Sequence, residues 1–66
     1  MSIVKVIEVL AQSEKGWEEA TQQALEEASN SVRNIQNIYV KEFQAIVENG
    51  KIKTYRVNAK ISFLVE

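Results

Sequence analysis

Apolar and polar residues alternate most clearly in the run from Ile52 to Glu66. The odd positions from 55 to 65 are tyrosine or apolar residues, and the even positions from 54 to 62 are polar. Because the side chains of a strand alternate between its two faces, this pattern predicts a strand with one apolar face. At about 3.3 Å per residue the run spans roughly 46 Å, whereas strands usually contain about five or six residues.

A shorter strand and a helix are predicted before this run. Both faces of the segment from Ile3 to Leu10 are mostly apolar, so we expect both to be covered, one of them by another subunit. Ser13 is a favourable N-cap, and Glu14 suits the first turn of a helix that continues to about Asn30. The apolar positions there follow the helical period: Trp17, Ala20, Ala24, Leu25, Ala28 and Val32.

Asn49-Gly50 predicts a tight hairpin between the second and third strands. We expect the second strand from Ile38 to Val47, after a connector at residues 34–37. Asn-Gly between two strand-like runs favours a type I′ turn, because both central residues of that turn need positive φ. Glu48 and Lys51 then face each other, and their side chains can pair across the turn.

This hairpin register predicts which residues share a face of the sheet. Continuing the pairing along both strands places Val40 opposite Ala59. It also places Ile38 opposite Ile61. The face toward the helix then carries Ile38, Val40, Val57, Ala59, Ile61 and Phe63. The other face carries Asn37, Tyr39, Lys41, Phe43, Arg56, Asn58 and Lys60.

We therefore expect an α+β fold with the order β-α-β-β, in a single domain spanning residues 1–66. A right-handed crossover sets the first two strands parallel, which gives a three-stranded antiparallel sheet in the order 1-3-2 wrapped on one helix. The helix covers about 26 Å, against roughly 46 Å for the third strand. Strand edges left exposed promote association, and small domains without disulfides often need it. We expect a closed homo-oligomer.

Composition limits the possible functions. The chain is 45% hydrophobic and 26% charged, with a formal net charge of −1. This balance argues against nucleic-acid and membrane partners, and the start of the chain does not resemble a signal peptide, so a cytoplasmic location is expected. Without histidine or cysteine, and without a glycine-rich phosphate loop, no enzyme is expected. A metal site is not expected either, because the glutamates of the helix lie on its polar face: Glu18, Glu19, Glu26 and Glu27.

Several segments resemble the dodecin family. The residues from Val4 to Val9 resemble its first strand, and those from Ser13 to Ala20 resemble the start of its helix. Tyr39 to Glu42 and Thr54 to Val57 resemble its second and third strands. The resemblance covers essentially the whole chain. It implies a hollow homododecamer that binds or stores a small molecule, with flavin (riboflavin, FMN or FAD) as the implied ligand class.

The same resemblance places a ligand pocket at two positions of this chain. In flavin-binding dodecins a tryptophan near the start of the second strand stacks on the isoalloxazine ring, and Asn37 occupies that position here. A glutamine after the last strand's tyrosine hydrogen-bonds the ring edge, and Arg56 occupies that position. Tyr39 and Phe43 are further candidates, either for ligand contacts or for packing between subunits.

Two hypotheses follow from these departures. One is a flavin-type binding or storage shell, and the other is a structural homo-oligomeric shell with a non-flavin ligand or none. Asn37 supplies no aromatic surface for stacking. Arg56 can contact an anionic group such as a phosphate. Alternatively, it pairs with Glu42 or Glu66 across a subunit boundary.

Overall fold

The long alternating run forms the central strand of the sheet. The computed structural model describes residues 3–65. Its elements are β1 (Ile3–Ser13), α1 (Trp17–Ser29), β2 (Ile35–Glu48) and β3 (Lys51–Val65). β3 lies between β1 and β2 and is antiparallel to both, in the order β1-β3-β2. The predicted α+β fold, element order and strand order are confirmed.

The core lies between one stripe of α1 and the middle of β3. Three alanines spaced by four residues are buried on the helix: Ala20, Ala24 and Ala28. On β3 the buried apolar residues are Val57, Ala59 and Ile61, each 0% exposed. Alanine side chains let the helix lie close to the sheet, but they bury little apolar area. The core of the single chain is therefore small.

The junction between β1 and α1 differs from the prediction. β1 continues to Ser13, and α1 begins at Trp17, so Ser13 is not the N-cap and Glu14 precedes the helix. The Ser13 hydroxyl is used instead in a turn: its Oγ accepts a hydrogen bond from the Lys15 backbone N–H at 2.9 Å. It also donates to Glu19 Oε1 at 2.8 Å. These bonds satisfy a polar side chain that is only 6% exposed.

Gly16 is the N-cap residue of α1 and has φ +156°. This value lies in a region that residues with a Cβ rarely adopt, so the chain direction here requires glycine. A Cβ built on Gly16 meets nothing within 4 Å. The reason for glycine is therefore its backbone conformation rather than close approach of the helix to the sheet.

β2 begins earlier than predicted, at Ile35, so most of the expected connector at 34–37 belongs to the strand. Asn34 has φ +62°, and its carbonyl accepts a hydrogen bond from the Leu64 backbone N–H at 3.0 Å. Asparagine tolerates this left-handed conformation better than most residues. One turning residue and one cross-strand bond are thus enough to lead the chain into β2.

The hairpin between β2 and β3 confirms the type I′ prediction. Asn49 has φ +54° and Gly50 has φ +74°, and Glu48 is the Cα partner of Lys51. The ion pair differs, because Glu48 contacts the Lys53 Nζ at 3.1 Å. A register shift between Val47 and Ile46 skips Lys53, so this residue has no Cα partner on β2.

The predicted pairs Val40–Ala59 and Ile38–Ile61 are both present. Between Val40 and Glu42 the register shifts by one residue, which leaves Lys41 as the extra residue of a bulge. A second shift, near Lys53, restores the original register toward the turn. These two shifts keep the predicted pairing near the turn and from Asn37 to Val40 and change the faces only between them; a third shift, between Ile35 and Asn37, lies before the predicted start of the strand.

The subunit is much longer than a compact domain of its size. Its principal extents are 52 × 19 × 13 Å, and its radius of gyration is 13.5 Å. A compact 66-residue domain has a radius of gyration of about 11 Å. Large apolar side chains are exposed along the length: Ile3, Val4, Val6, Leu10, Tyr39, Phe43, Val47 and Ile52. Within residues 3–65, no helix is long and apolar enough to span a membrane.

Replacing Ala24 by leucine tests the close packing of the helix. Ala24 is 4% exposed, and the added side-chain volume has no space between α1 and the sheet. We expect the free energy of unfolding to fall by about 1–3 kcal/mol. Chemical denaturation at one fixed protein concentration measures this change. Gln22→Leu, on the exposed face of α1, is the matched control and should change stability by no more than about 0.5 kcal/mol.

Replacing Gly50 by alanine tests the turn. Because Gly50 has φ +74°, a Cβ at this position costs about 1 kcal/mol of stability. Thermal unfolding should show a lower midpoint for Gly50→Ala. Asn49→Gly keeps positive φ accessible at the neighbouring position and should leave the midpoint nearly unchanged. Equal midpoints for Gly50→Ala and the unmodified protein would contradict the assigned turn.

Candidate functional site

One face of the sheet is covered by α1, and no other element of residues 3–65 covers the opposite face. We call this second surface the helix-free face. Since Val57, Ala59 and Ile61 are buried on the helix side, the even residues of β3 point the other way. Three rows of residues cross the middle of this face: Glu8, Lys60 and Tyr39; Leu10, Asn58 and Glu42; and Gln12, Arg56 and Gln44.

Arg56 is held by a side chain of the neighbouring strand. Its Nε and Nη2 atoms both donate to Gln12 Oε1, at 3.1 Å and 3.0 Å. The two residues are direct Cα partners of β1 and β3. Nη1 makes no hydrogen bond to any residue of the described chain. The amide therefore orients one edge of the guanidinium and leaves the other edge, formed by Nη1 and Nη2, without a full set of hydrogen bonds within the described chain.

A shallow depression of about 330 Å³ lies beside this pair, lined by Leu10, Ala11, Gln12 and Arg56. Leu10 is 67% exposed. One part of the depression is thus apolar, and another part carries a positive charge and polar amide groups. This combination suits a molecule that has both an apolar body and an anionic group.

Arg56 differs from several other cations of the chain in its partner. Lys15, Lys41 and Lys53 each lie within 4 Å of a glutamate, at 3.7, 3.9 and 3.1 Å. The partner of Arg56 is a neutral amide. Among residues 3–65 no carboxylate lies within ion-pair distance of its guanidinium. Its charge is therefore not compensated by the described part of the chain.

Glu42 does not pair with Arg56 in the single chain. Its Oε1 atom accepts a hydrogen bond from Asn58 Nδ2 at 3.3 Å. Asn58 Oδ1 is buried and has no hydrogen-bond partner among residues 3–65. The alternative that Arg56 pairs with Glu42 or Glu66 of another subunit stays a prediction, and Glu66 lies outside the described residues.

Asn37 and Arg56 share the helix-free face but are not brought together within one chain. Asn37 is exposed and lies opposite Ser62, whereas Arg56 lies six positions away on β3. At about 3.3 Å per residue this separation is roughly 20 Å. One aromatic ring system does not span that distance. Within one chain, a single ring system can therefore contact only one of the two positions.

Tyr39 and Phe43 lie on opposite faces. Tyr39 is 62% exposed on the helix-free face, opposite Lys60. Phe43 lies opposite Val57 on the helix side, and its ring centroid is 5.9 Å from that of Trp17. The prediction that Phe43 shares a face with Tyr39 was wrong, because the extra residue Lys41 inverts the alternation between them.

Trp17 joins two aromatic residues of the sheet. Its ring makes edge-to-face contacts with Phe43 and with Tyr55, whose centroid lies at 4.9 Å. Its Nε1 donates to the Gln44 backbone carbonyl at 2.9 Å. Such pairs contribute about 0.5–1.5 kcal/mol beyond area burial. The cluster holds the beginning of α1 on the sheet.

Sequence reasoning did not single out Gln12. The residue follows the stretch predicted as the first strand, and its role depends on β1 continuing to Ser13. Gln12 would have been found by extending that strand's pairing with β3 as far as Arg56. Within residues 3–65 no three acidic, cysteine or histidine side chains lie close enough together to hold a metal ion.

Comparisons with known proteins agree along nearly the whole chain. The model of the family described as Dodecin matches residues 3–66. The calcium dodecin of Mycobacterium tuberculosis is 35% identical over 63 residues, which cover 96% of this chain and 89% of that protein. The dodecin of Thermus thermophilus is 31% identical over 64 residues, which cover 97% of this chain and 93% of that protein.

Solved structures show the same fold. A single-residue variant of the T. thermophilus dodecin superposes with a TM-score of 0.94 at 30% identity, over 100% of this chain and 98% of that one. The dodecin of Streptomyces coelicolor superposes with a TM-score of 0.93 at 26% identity, over 98% of this chain and 93% of that one. The match in sequence and the match in fold lead to one conclusion: this chain belongs to the dodecin family.

Proposed function

We propose that this chain is the subunit of a closed, cytoplasmic homo-oligomer, a dodecamer as the family resemblance implies, that binds or stores a small molecule and is not an enzyme. The observation that carries the proposal is the helix-free face. It combines exposed apolar side chains with an oriented guanidinium, and α1 leaves it uncovered. The ligand class that the family implies is flavin.

The shape of the subunit supports assembly. Its radius of gyration of 13.5 Å exceeds the value of about 11 Å for a compact domain, and the core of residues 3–65 contains only six buried apolar residues, four of them alanines. Leu10 and Val47 are 67% and 63% exposed, which is costly for large apolar side chains in water. Contact with further copies of the chain removes these surfaces from water. Pairing or covering of β1 and β2 by neighbours also satisfies their outer edges.

The location of the ligand on the helix-free face rests on three side chains. Arg56 offers oriented N–H donors, Leu10 offers an apolar surface beside it, and Tyr39 offers an exposed aromatic ring. Asn37, Arg56, Tyr39 and Phe43 are the proposed ligand-contacting positions. Phe43 lies on the helix side in one subunit, so it can reach a ligand only from a different copy.

A second candidate function is a structural shell whose ligand is not flavin, or which has none. It is favoured by Asn37, which is exposed and presents an amide where stacking requires an aromatic surface. Tyr39 lies two residues further along on the same face, opposite Lys60. It is therefore not a direct substitute at the position of Asn37.

Light scattering tests the assembly. The expected result is a single species many times heavier than the 7.5 kDa chain, and twelve copies give about 90 kDa by multiplication. Dilution should not release a folded subunit, because the single-chain core is too small. A stable, folded 7.5 kDa monomer would contradict the proposal.

The double substitution Asn37→Trp with Arg56→Gln tests the flavin pocket. It restores an aromatic surface and a neutral amide, so riboflavin should bind at least about tenfold more tightly than to the unmodified protein. Quenching of riboflavin fluorescence measures the affinity. The matched control is Asn37→Leu with Arg56→Gln, which adds an apolar side chain without an aromatic face and should give little gain. No gain from the tryptophan variant would remove Asn37 and Arg56 from the pocket.

A further inference from the structure

We infer that the Arg56–Gln12 pair forms an anion-binding site, and that it selects ligands carrying a phosphate or carboxylate group attached to an apolar body. This inference deepens the proposed function, because it names the charge class of the ligand held on the helix-free face. It rests on the arrangement of Arg56, Gln12 and Leu10 around one depression.

The orientation of the guanidinium is the first observation. Gln12 Oε1 receives both the Nε and the Nη2 hydrogen bonds, at 3.1 and 3.0 Å, which holds Arg56 along its side edge. The end edge, with Nη1 and the second hydrogen of Nη2, has the fork geometry that matches two oxygens of a phosphate or carboxylate. Gln12 therefore orients the arginine without consuming its capacity to bind an anion.

The charge of the site is the second observation. Within residues 3–65 Arg56 has no glutamate within 4 Å, as is true of several lysines, but unlike them its charged group is held by the neutral amide of Gln12. An amide orients a guanidinium but leaves its positive charge in place. A glutamate at position 12 would make a similar contact and cancel that charge. The choice of glutamine suits a site that attracts an external anion.

The surroundings of the pair define the rest of the ligand. Leu10 and Ala11 line the same depression of about 330 Å³, and Leu10 is 67% exposed. An apolar or aromatic body can lie over Leu10 while its anionic group contacts Arg56. The occupant to which this geometry points is a small amphipathic anion. A carboxylate of a neighbouring copy has the same charge, and the experiment below separates the two.

Paired probes that differ only in the anionic group test the inference. FMN and riboflavin share one ring system, and FMN adds a phosphate. In the assembled, full-length protein at low ionic strength, FMN should bind at least about tenfold more tightly than riboflavin. Quenching of flavin fluorescence measures both affinities. Arg56→Gln should reduce this ratio to about one, and added salt should reduce it in the unmodified protein.

Two further variants separate charge from geometry, and one serves as a control. Gln12→Glu places a carboxylate against the guanidinium, so the preference for FMN should be lost although Arg56 is present. Arg56→Lys keeps the charge without the fork and should give an intermediate ratio. Lys60→Gln removes one positive charge from the same face of β3, outside the depression, and should leave the ratio unchanged.

Each outcome has a definite meaning. If riboflavin and FMN bind equally well to the unmodified protein, the anion site is wrong while the proposed binding function stands. If neither flavin binds, the flavin version of the proposed function fails.

Inorganic pyrophosphate then tests the anion site without a flavin. Pyrophosphate should raise the melting temperature of the unmodified protein but not that of Arg56→Gln, and equal shifts in the two proteins would overturn the inference. Dissociation of the oligomer in Arg56→Gln would show an ion pair between copies and would also overturn it.

Discussion

The pairing of β3 on both of its sides is the interaction on which the rest of the subunit depends. β1 pairs with it from Tyr55 to Val65, and β2 pairs with it from Lys51 to Phe63. Its backbone donors and acceptors are therefore satisfied along most of its length within one chain. The buried core is limited to the middle of this strand, where Val57, Ala59 and Ile61 pack under α1. Pairing extends much further than packing, and the difference in length leaves apolar surface that the proposed assembly would cover.

The register of the hairpin determines which side chains share the helix-free face. Lys41 is one extra residue, yet it moves Phe43 from the face of Tyr39 to the face of Trp17. Lys41 itself stays on the helix-free face, where its Nζ lies 3.9 Å from Glu8 Oε2 across β3. A local change in pairing thus removes one aromatic side chain from the candidate ligand surface.

Much of the fold was predictable because it follows from periodicity and from one turn. The alternation from residue 54 onward, the alanine spacing of the helix and Asn49-Gly50 together predict the element order, the strand order and the register at both ends of the hairpin. The start of the helix was not predictable by the same rules. Ser13 is a good N-cap by residue type, but tertiary bonds to Lys15 and Glu19 use it at the end of β1 instead.

The candidate site was predictable only in part. The hairpin register placed Asn37 and Arg56 on one face correctly, because Asn37 precedes the Lys41 bulge on β2 and β3 has no extra residue between Arg56 and Ser62. It did not find Gln12, because the first strand was predicted to end at Leu10 and its pairing with β3 was not extended to Arg56. The position of Phe43 was also out of reach, because Lys41 and Glu42 are both polar and neither identifies itself as the extra residue.

The separation of Asn37 and Arg56 on one chain has a thermodynamic consequence for the assembled protein. The two positions are roughly 20 Å apart along β3, so a single ring system that contacts both would have to take them from different copies. A ligand held in this way binds the assembled state and not the separate subunit, and it therefore stabilises the assembly by mass action. In the proposed assembly the helix-free face serves two purposes: it is a surface that one subunit leaves uncovered, and the copy that covers it can complete a site that includes both Asn37 and Arg56.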